Sequence, residues 1–429
     1  MKYLSFSIFL IIIVGCSSNE QTPTISNPIE DSPNILLIIA DDLGKDALSG
    51  FSEGTIKPFT PNLDAIRNSG LTFNNFWSYP TCSPTRAAIL TGKYGHHTDV
   101  KWAGDEINLS ETILQTYINQ QTNNRYSTAV IGKWHLSGNS SNFNPESLGI
   151  DYYAGLIRGE AQSYYNWMLT ENGNGQLETE YSTTKFTQLA KTWISEQDKP
   201  WFLWLAYNAP HTPFHNPPNV MHSQGNLPEF SDGMEATPYY MAAIEAMDYQ
   251  IGELLESIPT DQRENTVILF LGDNGTPNEV VQSPYSFFTA KGSLNQGGIN
   301  VPMFIAGKGV SKTGIENSLI NSTDLFATIS QIAGVNSTEI HDSKSFKSLL
   351  TNAEAIREYQ YSEKDDGTNQ LWTISNGSYK LIENANGNQQ FYFLENDPYE
   401  QNHLPTGILT ADQYSIKLDL ESEIDNIRQ

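Results

Sequence analysis

Short apolar runs of strand length, each released into small or charged residues, recur along this chain. They are Asn34–Ala40 (NILLIIA), Tyr126–Ile131 (YSTAVI), Pro200–Tyr207 (PWFLWLAY), Thr266–Leu271 (TVILFL) and Val301–Ala306 (VPMFIA). Continuous rather than alternating apolarity predicts strands buried on both faces, the signature of a parallel sheet covered by helices. Leu71–Phe73 reads as a shorter extended piece. Helical patterns lie between these runs. Thr60-Pro61 offers an N-cap with proline in the first turn, and Pro84 followed by Ala87–Leu90 offers a second helix start. Glu235–Ile258 carries Ile244, Met247, Ile251 and Leu254 or Leu255 on one side of a long amphipathic helix. Ser322-Thr323-Asp324 caps another. The pattern predicts an α/β protein with a large, mostly parallel central sheet flanked by helices.

From about Glu354 the texture changes to short strand-like pieces, Leu371–Ile374, Tyr379–Ile382 and Gln390–Leu394, separated by Asn and Gly turns. At the other end, Lys2 precedes an apolar run from Leu4 to Val14, too short to span a bilayer and typical of an export signal. Ser17–Pro33 is a polar tether with no core-forming pattern. The expected divisions are therefore 1–16, 17–33, 34–353 and 354–429.

Charge narrows the function. The chain has 49 acidic against 24 basic residues, a formal net charge of −25. That balance argues against nucleic acid and requires any anionic substrate to be met by a local basic pocket.

Several predicted strands deliver chemically capable groups at their C-terminal ends, where open α/β sheets place their ligands. Asn34–Ala40 ends in Asp41-Asp42, two adjacent carboxylates that repel unless a cation lies beside them. Tyr126–Ile131 leads to Lys133 and His135, whose spacing on extended backbone puts both side chains on one face. Pro200–Tyr207 leads to His211, held between Pro210 and Pro213. Thr266–Leu271 ends in Asp273-Asn274. Asp41, Asp42, Asp273 and Asn274 form an all-oxygen donor set suited to Ca²⁺ or Mg²⁺ rather than zinc. Cys82 sits just ahead of the helix start at Pro84, and Arg86 follows one turn on.

These phrases together carry a resemblance. Cys82-Ser83-Pro84-Thr85-Arg86 with its A-A-x-L-T-G tail, T-P-N-L-D at 60–64, G-K-W-H-L at 132–136, P-H-x-P at 210–213, and A-K-G-S-L at 290–294 resemble, in order, the type I sulfatases of the alkaline-phosphatase-like superfamily. The resemblance runs from about Asn34 to Leu404. It implies an alkaline-phosphatase-like fold with a small C-terminal antiparallel sheet packed on a helix. It also implies oxidation of Cys82 to formylglycine by a maturation enzyme, the hydrated aldehyde acting as nucleophile on a sulfate ester. Calcium is the implied metal, Mg²⁺ less so, with Asp41, Asp42, Asp273, Asn274 and position 82 as ligands. Arg86, Lys133 and Lys291 are implied to hold the sulfuryl oxygens, His211 or Lys291 to protonate the leaving oxygen, and His135 to take the proton that lets the aldehyde re-form. Val14-Gly15-Cys16 resembles the lipobox of bacterial lipoproteins. That implies an exported chain lipidated at Cys16 and touching membrane only through this anchor, at the outer membrane or in the periplasm.

The sequence departs from the family at Gln296 and Asn300, where an acid and a base usually stand, as if an ion pair had become an amide pair. A structural role for that pair is favoured over a substrate contact. His215 is a candidate substrate contact, with loop packing as the alternative. Tyr152, Tyr153, Tyr164, Tyr165 and Trp167 either stack on sugar rings or pack in the core. The expected substrate is a sulfated oligosaccharide, with marine algal glycans such as ulvan favoured. The competing readings are a formylglycine-dependent phosphonate or phosphodiester hydrolase and an inactive glycan-binding lipoprotein.

Overall fold

Strand β1, Asn34–Asp41, lies inside a ten-stranded sheet and is buried along its whole length. In chain order the sheet continues with β2 (Leu71–Phe73), β3 (Ser127–Lys133), β4 (Tyr152–Leu156) and β5 (Trp167–Glu171). It is completed by β6 (Asn174–Glu178), β7 (Trp201–Pro210), β8 (Thr266–Gly272), β9 (Met303–Gly307) and β10 (Gly314–Glu316). The spatial order is β10-β2-β9-β8-β1-β7-β3-β4-β5-β6. The central strands β8, β1, β7, β3 and β4 are mutually parallel, and antiparallel strands flank them. This computed structural model describes Met1 and residues 32–351 and 356–429, with Ser32–Gln429 forming one compact unit. The expected export signal, Cys16 and nearly all of the tether lie outside the described residues, as does the expected boundary at Glu354.

The two sides of β1 explain why its sequence is apolar throughout. Ile35, Leu37 and Ile39 enter one core, with helix α2 (Cys82–Thr91) and a later helix, Asp324–Ile332. Leu36, Ile38 and Ala40 enter the opposite core, with helices Ser182–Ser195 and Thr237–Ser257. Side chains alternate across a strand, so a strand covered on both faces cannot alternate in polarity. In the helix Thr237–Ser257, Ile244, Met247, Ile251 and Leu254 are buried and Leu255 is only partly so.

Local chemistry adjusts the predicted bounds. Helix α1, Pro61–Asn68, follows Thr60, but the Thr60 side chain makes no cap hydrogen bond. The carboxylate of Asp248 replaces it, accepting from the backbone N–H of Asn62 at 3.2 Å and Leu63 at 2.7 Å. β9 starts at Met303, after Pro302, rather than at Val301. β7 extends to Pro210, three residues beyond the apolar run.

The C-terminal region is a four-stranded antiparallel sheet, β11 (Gln360–Asp365), β12 (Gln370–Ser375), β13 (Tyr379–Asn384) and β14 (Gln389–Phe393). The helix Ala411–Ile427 begins with a capping box between Thr410 and Gln413 and buries Leu420 and Ile424 against Ile374, Leu381 and Phe391. The sheet is tied to the larger one by polar contacts. Ser362 Oγ donates to the Ser78 carbonyl at 3.0 Å, and the buried Lys380 donates to the Leu294 carbonyl at 2.7 Å.

Candidate active site

The C-terminal ends of β1, β3, β7 and β8 meet the start of α2, and the predicted residues converge there. Cys82 is the first residue of α2, not the residue before it, and is 2 % exposed. Thr81 is the extended N-cap, Pro84 occupies the first turn, and the helix stops at Gly92 in the left-handed region (φ 68°). The start of α2 is pinned to two strand ends. Thr85 Oγ1 donates to the Asp273 carbonyl at 2.7 Å, and Ser83 Oγ donates to the His135 carbonyl at 2.8 Å.

Lys133 and His135 both reach Cys82, with Lys133 Nζ at 3.8 Å and His135 Nδ1 at 3.1 Å from its sulfur. They do so by a route the sequence did not show. β3 ends at Lys133, and His135 has φ 58°, so the backbone is not extended through the pair. Lys133 approaches position 82 from the protein side and is fully buried.

The carboxylates form a tight cluster. Lys133 pairs with Asp41 at 2.5 Å, and Lys291 pairs with Asp42 at 2.5 Å. His211 Nε2 lies 3.6 Å from Asp42, its Nδ1 being 2.8 Å from the Thr212 carbonyl. Arg86 donates to Asp273 from two nitrogens at 2.8 and 3.1 Å and to the Lys133 carbonyl at 2.6 Å. Burial pushes Asp273 up to about 6, with Asp41 beside it adding to the rise, whereas Arg86 is held above its usual range by Asp273 and Asp41 despite its burial. Burial alone would raise Asp42, yet Lys291, His211 and Lys133 hold it below the usual carboxylate range. Burial lowers His211 to about 4 and, reinforced by Lys133 and Arg86, keeps His135 well below its ordinary value. Burial lifts the Cys82 thiol to about 11.

The donor set fits a hard divalent cation. Ligand atoms of Asp41, Cys82 and Asp273 lie within 4.8 Å of one another, as do those of Asp41, Asp42 and His211. Asp41 Oδ1 and Asn274 Oδ1 are buried acceptors without a hydrogen-bond partner. Such oxygens are costly unless a cation or donor meets them. The Asn274 amide nitrogen donates to Asp42 at 2.7 Å, which leaves its oxygen as the unpaired acceptor.

A cavity of about 420 Å³ opens over this cluster, with Cys82 and His135 in its floor and His211 and Lys291 on its sides. Arg86 and Lys133 do not line it. The remaining candidates fall elsewhere. His215 stacks on Tyr164 at 3.7 Å between ring centres, and its Nε2 lies 3.1 Å from the Tyr181 hydroxyl, so it is loop packing. The side chains of Gln296 and Asn300 make no hydrogen bond to each other among the described residues, although the Asn300 backbone N–H donates to the Gln296 carbonyl at 2.9 Å. Asn300 Oδ1 accepts from the buried Lys45 at 2.8 Å, and the Gln296 N–H donates to Glu400 at 2.6 Å. Neither lines the cavity. Of the aromatic set, Tyr153, Tyr164 and Trp167 are core residues and Tyr152 is half-buried, leaving Tyr165 exposed. The Tyr164 hydroxyl lies 2.7 Å from both the Asn208 and His211 carbonyls, a support for the His211 loop.

Sequence reasoning missed the turn after β4. Arg158, Gly159, Glu160 and Gln162 all line the cavity. β4 is parallel to β3 and ends at the same edge of the sheet, so the residues after LGIDYYAGL were findable by the strand-end rule.

A family model described as Sulfatase matches residues 33–335. The uncharacterized sulfatase YdeN of Escherichia coli (strain K12) is 28% identical over 377 residues, covering 74% of this chain and 65% of that protein. The ulvan-active sulfatase of Formosa agariphila is 28% identical over 423 residues, covering 90% of this chain and 80% of that protein. Among solved structures, Ps i-CgsB superposes with a TM-score of 0.78 at 24% identity, covering 93% of this chain and 94% of that one. The same protein has been solved in complex with k-i-k-neocarrahexaose.

Proposed function

This chain belongs to the formylglycine-type sulfatase family, and from that premise we propose that it hydrolyses sulfate esters of saccharides. The observation that carries the reading is the floor of the cavity. Cys82 stands at a helix start with a histidine 3.1 Å and a lysine 3.8 Å from its sulfur, beside a buried carboxylate cluster. Oxidised to formylglycine and hydrated, position 82 would supply the hydroxyl that attacks sulfur. Asp41, Asp42, Asp273 and Asn274 would hold a divalent cation, Ca²⁺ in preference to Mg²⁺, supplying positive charge next to the sulfuryl group. Lys291 and His211 face the substrate, Lys291 neutralising sulfuryl oxygen and either Lys291 or His211 placed to hand a proton to the leaving oxygen. His135 is placed to exchange a proton at position 82. Arg86 and Lys133 act from below, Arg86 by fixing Asp273 and the Lys133 carbonyl, Lys133 by placing its ammonium against position 82.

The substrate class we propose is sulfated polysaccharide fragments, with ulvan first, in line with the name of the Formosa agariphila relative. The k-i-k-neocarrahexaose bound by a structurally similar protein is in keeping with a saccharide substrate. Export and anchoring through Cys16 belong to the same proposal, because polymeric glycans are met outside the cell.

The test is peptide mass spectrometry across residues 78–86 of protein co-produced with a formylglycine-generating enzyme, paired with sulfate release from sulfated oligosaccharides before and after chelation. A loss of about 18 Da at position 82 with chelator-sensitive sulfate release is expected. An unconverted Cys82 beside a converted control sulfatase would overturn the nucleophile. Conversion with turnover of phosphonate or phosphodiester substrates alone would change the reaction class.

A further inference from the structure

The segment after β4 separates two cavities. Ile157, Gly159 and Ala161 are buried, while Arg158, Glu160 and Gln162 alternate with them and are exposed. Those exposed side chains line both the cavity over Cys82 and a second one of about 350 Å³. The second compartment is lined by Leu156 and Ala161 and by Trp167, Met168 and Leu177 of the β5–β6 hairpin. Its volume is in the range of small-ligand sites, and its mixture of apolar walls with a polar rim suits a sugar ring, which has apolar faces and hydroxyl edges.

Arg158 gives the compartment a charge preference. Arg67, Arg86, Arg125, Arg263, Arg357 and Arg428 each make a side-chain hydrogen bond. Among the described residues, Arg158 is the one arginine with neither a hydrogen bond nor an ion pair. In a chain of net charge −25, a guanidinium left without a carboxylate at the mouth of a cavity is free to meet an anion from outside. Its planar fork fits a carboxylate or a sulfate at two points. Glu160 and Gln162, on the same wall, offer acceptors for sugar hydroxyls.

We propose that the second compartment binds the sugar adjoining the sulfated one, and that Arg158 selects an anionic group on that sugar, a uronate carboxylate or a second sulfate. The inference rests on the sulfate-ester reading of the first cavity for its orientation.

The test compares wild type with R158A and R158K on three disaccharides that share one sulfated residue. The neighbouring sugar is neutral in the first, carries a uronate carboxylate in the second and a second sulfate in the third. R158A is expected to lose at least about tenfold more kcat/KM on one of the dianionic disaccharides than on the neutral-neighbour one, chiefly through KM, with partial recovery in R158K. The disaccharide showing the larger loss identifies the anion. Affinities measured calorimetrically on protein with unconverted Cys82 must show the same selectivity loss. Equal losses on all three, or none, overturn the subsite. Arg158-dependent binding without any sulfate release would leave the subsite standing and remove the sulfatase reading.

Discussion

Gly159 sets the position of the histidine that touches Cys82, and its replacement by alanine gives a worked test. A Cβ built on Gly159 would lie 2.1 Å from Nε2 of His135 and 2.3 Å from its Cε1, where ordinary contact begins at 3.4 Å. The imidazole must therefore retreat by about 1.3 Å. It cannot retreat toward Cys82, because its Nδ1 is already 3.1 Å from the sulfur. The ring tilts or the 157–160 backbone moves, and in either case the nitrogen proposed to exchange a proton at position 82 leaves its place. A misplacement of this size in a reacting geometry costs about 10²-fold in rate, or about 2.7 kcal/mol of activation free energy. G159A should therefore lower kcat on a small aryl sulfate by about 10²-fold while conversion at position 82, checked by mass, stays complete. A kcat within about threefold of wild type, in protein with conversion intact, would refute the claim that His135 must sit where Gly159 lets it sit.

Two further outcomes bear on stability. Lys380 and Glu400 form an ion pair 2.6 Å apart with both side chains fully buried, and burial lowers the Lys380 pKa although Glu400 opposes that shift. K380M should cost about 3–5 kcal/mol by leaving Glu400 buried without its cation, a fall in Tm of about 3–6 °C for a chain of this length, and K380M/E400Q should recover most of it in calorimetry. For His96, burial alone would lower the pKa, but the hydrogen bond and charge of Glu363, with the Ile427 carbonyl, raise it above the ordinary 6.5. Its contribution is then full below about pH 6.5 and fades as pH rises through the elevated folded value. Thermal melts of wild type minus H96N across that window should show the difference shrinking with pH, and a difference independent of pH would contradict the sign.

The parts of the fold that could be read were those where one residue's burial follows from its own run. β1, β3, β7 and β8 are apolar because helices cover both faces, and that needs no partner to be known. β11 was not readable. Its Ser362-Glu363-Lys364 looks like a surface stretch, and Glu363 is buried only because His96 and Arg428 meet it. The site followed the same division. Residues delivered by strand ends were legible, the Arg158–Gln162 wall after β4 among those the same rule could have reached, whereas the left-handed turn at His135 depends on how neighbouring elements pack. The side-chain pair suggested at Gln296 and Asn300 did not form, since Lys45, remote in sequence, takes the Asn300 amide oxygen.

The burial of Cys82 also fixes when it can be modified. Every residue from Ser78 to Thr91 is buried, and the start of α2 is held by strand ends separated from it by 188 and 52 positions. A converting enzyme must hold several residues around the cysteine in its own cleft, which in the folded molecule would require undoing α2 and the sheet edge together. At about 5–15 kcal/mol for such an opening, fewer than about one molecule in a thousand would present the segment at any moment. The window for the proposed conversion is therefore the chain before β8 closes over residues 78–86.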